Sequence, residues 1–143
     1  NHDFSFHFVG PIPEESRLDD SKIIYHGEIR DSEKIKTILD DCDCLVCPSH
    51  SEGMPTVILE AMARGLAIIG TDVGAVSRQI SGNGILLSGP NQMELQNALE
   101  ILIKMDPVAL EHLKRKSLAQ IKEKFLWEVI ADQKMEDFRK AIG

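Results

Sequence analysis

The sequence predicts an α/β fold built on a doubly wound parallel sheet, and three features carry the prediction. Short apolar runs alternate with helical segments up to about residue 90, and runs of that kind belong to parallel strands covered on both faces. One strand, turn and helix between Cys44 and Gly65 is sharply punctuated by Pro48, Gly53, Pro55 and Gly65. From Asn91 onward every segment reads as helix. The expected organisation is a βα core over 1–90 followed by C-terminal helices over 91–143.

Taken in order, Phe4, Phe6 and Phe8 alternate with Ser5, His7 and Val9 before Gly10-Pro11, a strand ending in a turn. His7 is expected in the core or at a strand edge. Pro11 to Ser21 is short and acidic and holds no long amphipathic pattern. Lys22 to His26 reads as a second strand ending at Gly27. Asp31-Ser32 offers an N-cap for a helix through about Asp41, with Ile35, Ile38 and Leu39 on one face. Cys44 to Cys47 is the third strand. The next helix opens with Pro55 at its first position and stops at Gly65, because proline loses nothing where the N–H is an orphan and glycine accepts the left-handed closing conformation. Ala67 to Gly70 is a fourth strand, and Ile85 to Leu87 a fifth after the Ser81-Gly82-Asn83-Gly84 turn. Asn91 to Lys104 places Met93, Leu95, Leu99, Leu102 and Ile103 in one stripe, Asp106-Pro107 restarts a helix, and the last one runs from Leu126-Trp127 to just before Gly143. Trp127 is expected to anchor the packing of the final helices.

Composition narrows the function classes. At 143 residues, 43% apolar and 27% charged, the chain is long enough for a core of its own and is not disordered. A net charge of −7 with lysines scattered along helices argues against a nucleic-acid surface. No apolar run approaches the ~20 residues that cross a bilayer, and the first residues carry no signal pattern, so a cytoplasmic protein is expected. Cys42, Cys44, Cys47 and His50 invite a metal reading, but ligands strung along one extended strand cannot converge on a tetrahedral ion. The cysteines are therefore expected to be reduced, small core residues, as befits a reducing compartment.

The functional signal lies between Pro48 and Gly65. The backbone N–H groups of Met54, Thr56 and Val57 should point out of the helix start with the positive end of its dipole, an arrangement suited to phosphate. Glu52 lies in the turn ahead of that site, and Glu60 about 7 to 8 Å along the helix axis. On residue type alone, Glu52 equally fits a turn-capping role and Glu60 a solvated helix surface, while Ser49 and Ser51 fit turn hydrogen bonds. Leu59 and Ala61 on either side of Glu60 suggest a helix gripped on most sides. His26 and His50 fit scaffold roles. Thr71 to Gly74 end a strand and would line a cleft, with Asp72 alternatively capping a helix over Ala75 to Ile80.

The run Pro48-Ser49-His50-Ser51-Glu52-Gly53-Met54-Pro55, continuing to Glu60-Ala61-Met62-Ala63-Arg64-Gly65, resembles the retaining glycosyltransferases of the GT-B fold, family 4, known as glycosyl transferases group 1. Their C-terminal domain carries Pro-Ser-x-x-Glu-Gly-x-Pro-x-x-x-x-Glu-Ala-x-Ala-x-Gly, and the chain has every position. Ala67 to Ala75 and Asn83 to Leu87 also resemble the family, and the similarity extends from about Phe8 to Trp127. It implies a Rossmann-like C-terminal half of a GT-B fold that binds a UDP- or GDP-sugar without cofactor or metal, for hexose transfer to a glycan or lipid acceptor. Glu52 matches the glutamate near the transferred hexose and is the candidate catalytic residue. Glu60 matches the one that holds the ribose hydroxyls. Ser49, Gly53, Met54, Pro55, Thr56 and Val57 match the diphosphate-binding turn, and Gly27 and Glu28, with Ile29, the segment that holds the nucleobase. Relatives open this domain with a further strand and helix that bring an arginine and a lysine to the diphosphate, after an N-terminal acceptor domain. Neither is in this sequence, so a fragment inactive by itself is expected. Its partners would be the nucleotide sugar and that missing domain, with peripheral association of the full-length enzyme at the inner face of the membrane. Two rival readings are a non-catalytic doubly wound interaction module and a GT-B sugar-nucleotide epimerase.

Overall fold

The computed structural model describes residues 4–142. In chain order the elements are β1 (Phe6–Val9), β2 (Ile23–Gly27), α1 (Ser32–Asp40), β3 (Cys44–Cys47), α2 (Thr56–Ala63), β4 (Ala67–Thr71), α3 (Val76–Gln79), β5 (Gly84–Leu87), α4 (Gln92–Ile103), α5 (Pro107–Gln120) and α6 (Trp127–Ile142). A 3-10 turn at Glu14–Ser16 and a π turn at Ile121–Phe125 complete the order. All strand pairs are parallel, grouped as a β1-β2 sheet and a β3-β4-β5 sheet. The chain divides into two compact units, Asn1–Cys42 and Asp43–Gly143.

In the first unit Phe6 lies opposite Ile23 and His7 opposite Ile24. Phe8 stacks on Tyr25 with ring centroids 5.3 Å apart. The strand begins at Phe6, two residues later than the Phe4 alternation suggests. His7 and His26 meet across the pair, Nε2 of His26 lying 3.1 Å from Nδ1 of His7, which gives His26 the scaffold role expected of it, while His7 is half-buried on β1. Helix α1 starts where expected because the Asp31 carboxylate accepts the Glu33 N–H at 2.9 Å, and it buries Leu39.

The second unit is a three-stranded parallel sheet, β3-β4-β5, covered on both faces. Every residue of β4 is buried, as a central strand covered on both faces requires. On one face Ile69 and Leu87 meet Ala98 of α4, with Cys44, Val46, Leu95, Leu99 and Leu102 around them. The opposite face carries Gly70, where an added β-carbon would sit 2.9 Å from Ile80 and 3.1 Å from Val76. Helix α2 buries Ile58, Ala61 and Met62, an i, i+3, i+4 face. Each fully buried aliphatic side chain here contributes about 1.5–3 kcal/mol.

Helix starts follow local chemistry. Asn91 accepts the Met93 N–H at 2.8 Å, and Asp106 that of Val108 at 2.8 Å with Pro107 leading α5. Helix α2 differs: Pro55 is its N-cap residue instead of its first helical residue, and no side chain caps it. Gly65 closes it at φ +75°, as glycine at that place permits. Two expectations fail. Met93 is 71% exposed because Ala98 supplies the contact of α4 with the sheet, and Trp127 is 83% exposed at the start of α6, so it anchors nothing. Gly143, the expected stop of the last helix, lies outside the described residues. Cys47 is buried and Cys44 packs on the Ile69 cluster, consistent with core roles.

Candidate functional site

In the second unit the carboxyl end of β3 feeds directly into the Pro48–Pro55 turn and the start of α2. Ligands of parallel sheets gather beyond the carboxyl ends of strands. Ser49 Oγ donates to Glu52 Oε1 at 2.5 Å and lies 3.5 Å from Cys47 Sγ, so the end of β3 is tied to the turn. The expected turn role of Ser49 is therefore seen, and it fixes the Glu52 carboxylate while leaving its second oxygen outside that bond.

The turn is held from behind by the segment after β4. Ala75 N–H donates to the Gly53 carbonyl at 2.8 Å. A β-carbon on Gly74, which has φ +57°, would lie 2.0 Å from the Glu52 carbonyl oxygen and 2.6 Å from that of Gly53. The buried Gln79 donates from Nε2 to the Pro55 carbonyl at 3.1 Å. Asp72 does not cap α3, which begins after Ala75 without any side-chain cap.

On its outer side the turn is open. Gly53 has nothing within 4 Å of where its β-carbon would be. Gly53, Met54, Thr56, Val57 and Glu60 are all exposed, and Glu52 is half-buried. Thr56 and Glu60 are four residues apart and so share one face. The enclosure expected of Glu60 from Leu59 and Ala61 is not found, because α2 buries only its Ile58–Ala61–Met62 side. Helix α2 thus starts without a side-chain cap between Glu52 and Glu60, and an uncapped helix start carries partial positive charge. His50 is exposed in the same turn.

Gly27 and Glu28 belong to the first unit, at the end of β2. Gly27 has φ +68° and its carbonyl accepts the Gly10 N–H at 2.8 Å. Beyond it opens a cleft of about 470 Å³ lined by His26, Glu28, Ile29, Arg30, Lys34 and others of α1. Arg30 pairs with Glu28 at 3.0 Å with both side chains largely in solvent, a contact worth about 0–1 kcal/mol. Among the described residues no three His, Cys, Asp or Glu side chains gather as a metal site. No described helix is long and apolar enough to cross a membrane.

Gly74, expected to line a cleft, packs against the Glu52 and Gly53 carbonyls, and Gln79 is a site-building residue that the sequence does not point to. The glycine within Val73-Gly74-Ala75 was the available signal; nothing local marks Gln79.

Against known proteins, the model of the family described as Glycosyl transferases group 1 matches residues 1–105. Over 87 residues the chain is 38% identical to the putative teichuronic acid biosynthesis glycosyltransferase TuaC of Bacillus subtilis (strain 168), covering 61% of this chain and 22% of that protein. It superposes on the C-terminal domain of the glycosyl transferase group 1 family protein LpcC from Francisella tularensis with a TM-score of 0.68 and 31% identity, covering 76% of this chain and 56% of that one. Anabaena Alr3699/HepE, solved in complex with UDP, gives a TM-score of 0.77 over 96% of this chain and 41% of that one; at 20% identity the likeness is one of fold. The chain spans about a quarter of the length of the curated relatives it matches.

Proposed function

Because the chain belongs to the glycosyl transferases group 1 family, we propose that it is the donor-binding domain of a retaining glycosyltransferase. The enzyme moves a hexose from a UDP- or GDP-sugar to a glycan or lipid acceptor, in cytoplasmic polysaccharide or glycolipid synthesis. The observation that carries the reading is the Glu52–Val57 turn, open outward at an uncapped helix start and braced from behind by Gly74, Ala75 and Gln79. Supporting it, Alr3699/HepE has been solved with UDP and with UDP-glucose, and TuaC is named for teichuronic acid biosynthesis.

In this reading the diphosphate sits at the start of α2. As the anomeric C–O bond breaks, negative charge grows on the leaving diphosphate, and the fixed N–H groups of Met54, Thr56 and Val57 stabilise it without reorganising. The Glu60 carboxylate accepts from the two ribose hydroxyls. Glu52 meets the hexose hydroxyls and the positive charge of its ring, with Ser49 holding it in place. No metal takes part, and the chain supplies only the donor half, so transfer requires an acceptor domain as well.

Calorimetry of the chain against UDP, GDP and their sugars tests the reading. One nucleoside diphosphate should bind, and at a hundredfold excess over its Kd raise stability by about 2.7 kcal/mol. Glu60→Ala should abolish that gain while leaving the ligand-free melting temperature unchanged, since Glu60 is exposed. Indifference of the unaltered chain to every nucleotide would leave an interaction module as the better account.

A further inference from the structure

We infer that Gln79 is a positioning residue that aims the Thr56 amide at the donor diphosphate, an inference that rests on the function proposed above. Gln79 is fully buried and its Nε2 donates to the Pro55 carbonyl oxygen at 3.1 Å. Only one orientation of the carboxamide works, because the reverse would set two oxygens against each other. Its Oε1 is buried with no hydrogen-bond partner, so the side chain leaves one polar atom unsatisfied and keeps the bond to Pro55.

The effect of that bond follows from peptide geometry. The Pro55 carbonyl and the Thr56 N–H belong to one planar unit, and no described peptide is cis, so the two vectors run antiparallel. Holding the carbonyl inward therefore holds the N–H outward, toward open solvent at the helix start. A donor on the carbonyl also polarises the unit and strengthens its N–H as a donor.

A buried network gives Gln79 the rigidity this requires. The Gln79 carbonyl accepts from Asn83 Nδ2 at 3.2 Å. Asn83 also donates to Ser117 Oγ at 3.2 Å and accepts the Ser81 N–H at 2.8 Å. Ser117 in turn donates to the Leu66 carbonyl at 2.6 Å, just past the other end of α2. The network thus runs from behind the start of α2, through α5, to behind its end.

Gln79→Met keeps length and removes the donor. Nuclear magnetic resonance of the full chain should show the Thr56 amide nitrogen displaced while resonances of α4 stay in place, and affinity for UDP or GDP should fall roughly tenfold. In Gln79→Glu only the protonated carboxyl can donate to Pro55, so affinity should recover as pH falls, relative to the unaltered chain. Asp106→Ala, which removes the cap of α5 far along the chain, serves as a control that lowers stability and leaves affinity intact. An unmoved Thr56 amide in Gln79→Met, or nucleotide affinity equal to the unaltered chain while Glu60→Ala has lost it, would overturn the inference and spare the function. An unaltered chain that binds no nucleotide would sink the function, and the Thr56 resonance would then decide alone whether Gln79 orients that peptide.

Discussion

Gly74 has no room for a β-carbon, since the carbonyl oxygens of Glu52 and Gly53 lie 2.0 and 2.6 Å from where one would stand. Its φ of +57° adds backbone strain for any other residue. Gly74→Ala should therefore cost about 1–3 kcal/mol and displace the Glu52–Gly53 turn, lowering the melting temperature and weakening nucleotide binding together. A thermal melt and a titration on the same sample check it, and retained affinity would show that the turn does not depend on this support. At this scale the motif residues Ser49, Glu52, Gly53, Pro55 and Glu60 were legible because they lie within one contiguous stretch. The bracing contacts of Gly74 and Gln79 were not, since what they touch is some twenty residues earlier in the chain. Trp127 misled because its type suggests burial, whereas its place at the start of α6 leaves it 83% exposed.

Elements were read more faithfully than contacts, because caps are local chemistry. Asp31, Asn91 and Asp106 each announce a helix and each accepts from an N–H of its first turn. The one-residue displacement of Pro55, from first helical position to N-cap, arises because its ψ of 118° is extended. What a strand sequence does not reveal is pairing: the expected parallel strands are all present, and only the coordinates group them as two and three. Helix α4 carries a pH-dependent tie to the end of β5. The Ser88 hydroxyl, and then the Ser88 N–H, hold the Glu94 carboxyl below its ordinary 4.5. Folding thus favours the ionised form, a contribution complete above that ordinary value and lost as pH falls through the lowered one. Glu94→Gln should lower the melting temperature slightly at pH 7 and hardly at all near pH 3. Equal losses at both, followed by circular dichroism, would contradict this tie.

For the molecule as a whole, a net charge of −7 opposes the approach of any nucleoside diphosphate. The attraction at the start of α2 is short-ranged, whereas the repulsion extends over a Debye length, about 20 Å at 0.02 M salt and 8 Å at 0.15 M. Raising ionic strength across that interval should therefore strengthen UDP or GDP binding, the reverse of sites that hold phosphate with clustered lysines. Calorimetry at the two salt concentrations decides it, and weakening with salt would mean that basic side chains dominate. Both the acidity and the βα order that locate this site were legible from sequence. The division into Asn1–Cys42 and Asp43–Gly143 was not, because it depends on which strands share hydrogen bonds.

Three helices close their first turn with an aspartate or asparagine side chain, and α2 has no such cap. A bound phosphate would complete that first turn as a borrowed cap, so thermal robustness and occupancy are coupled at a single peptide. A substitution that supplied the missing cap from within would harden the empty protein and, on the proposed function, compete with the donor for the same amides.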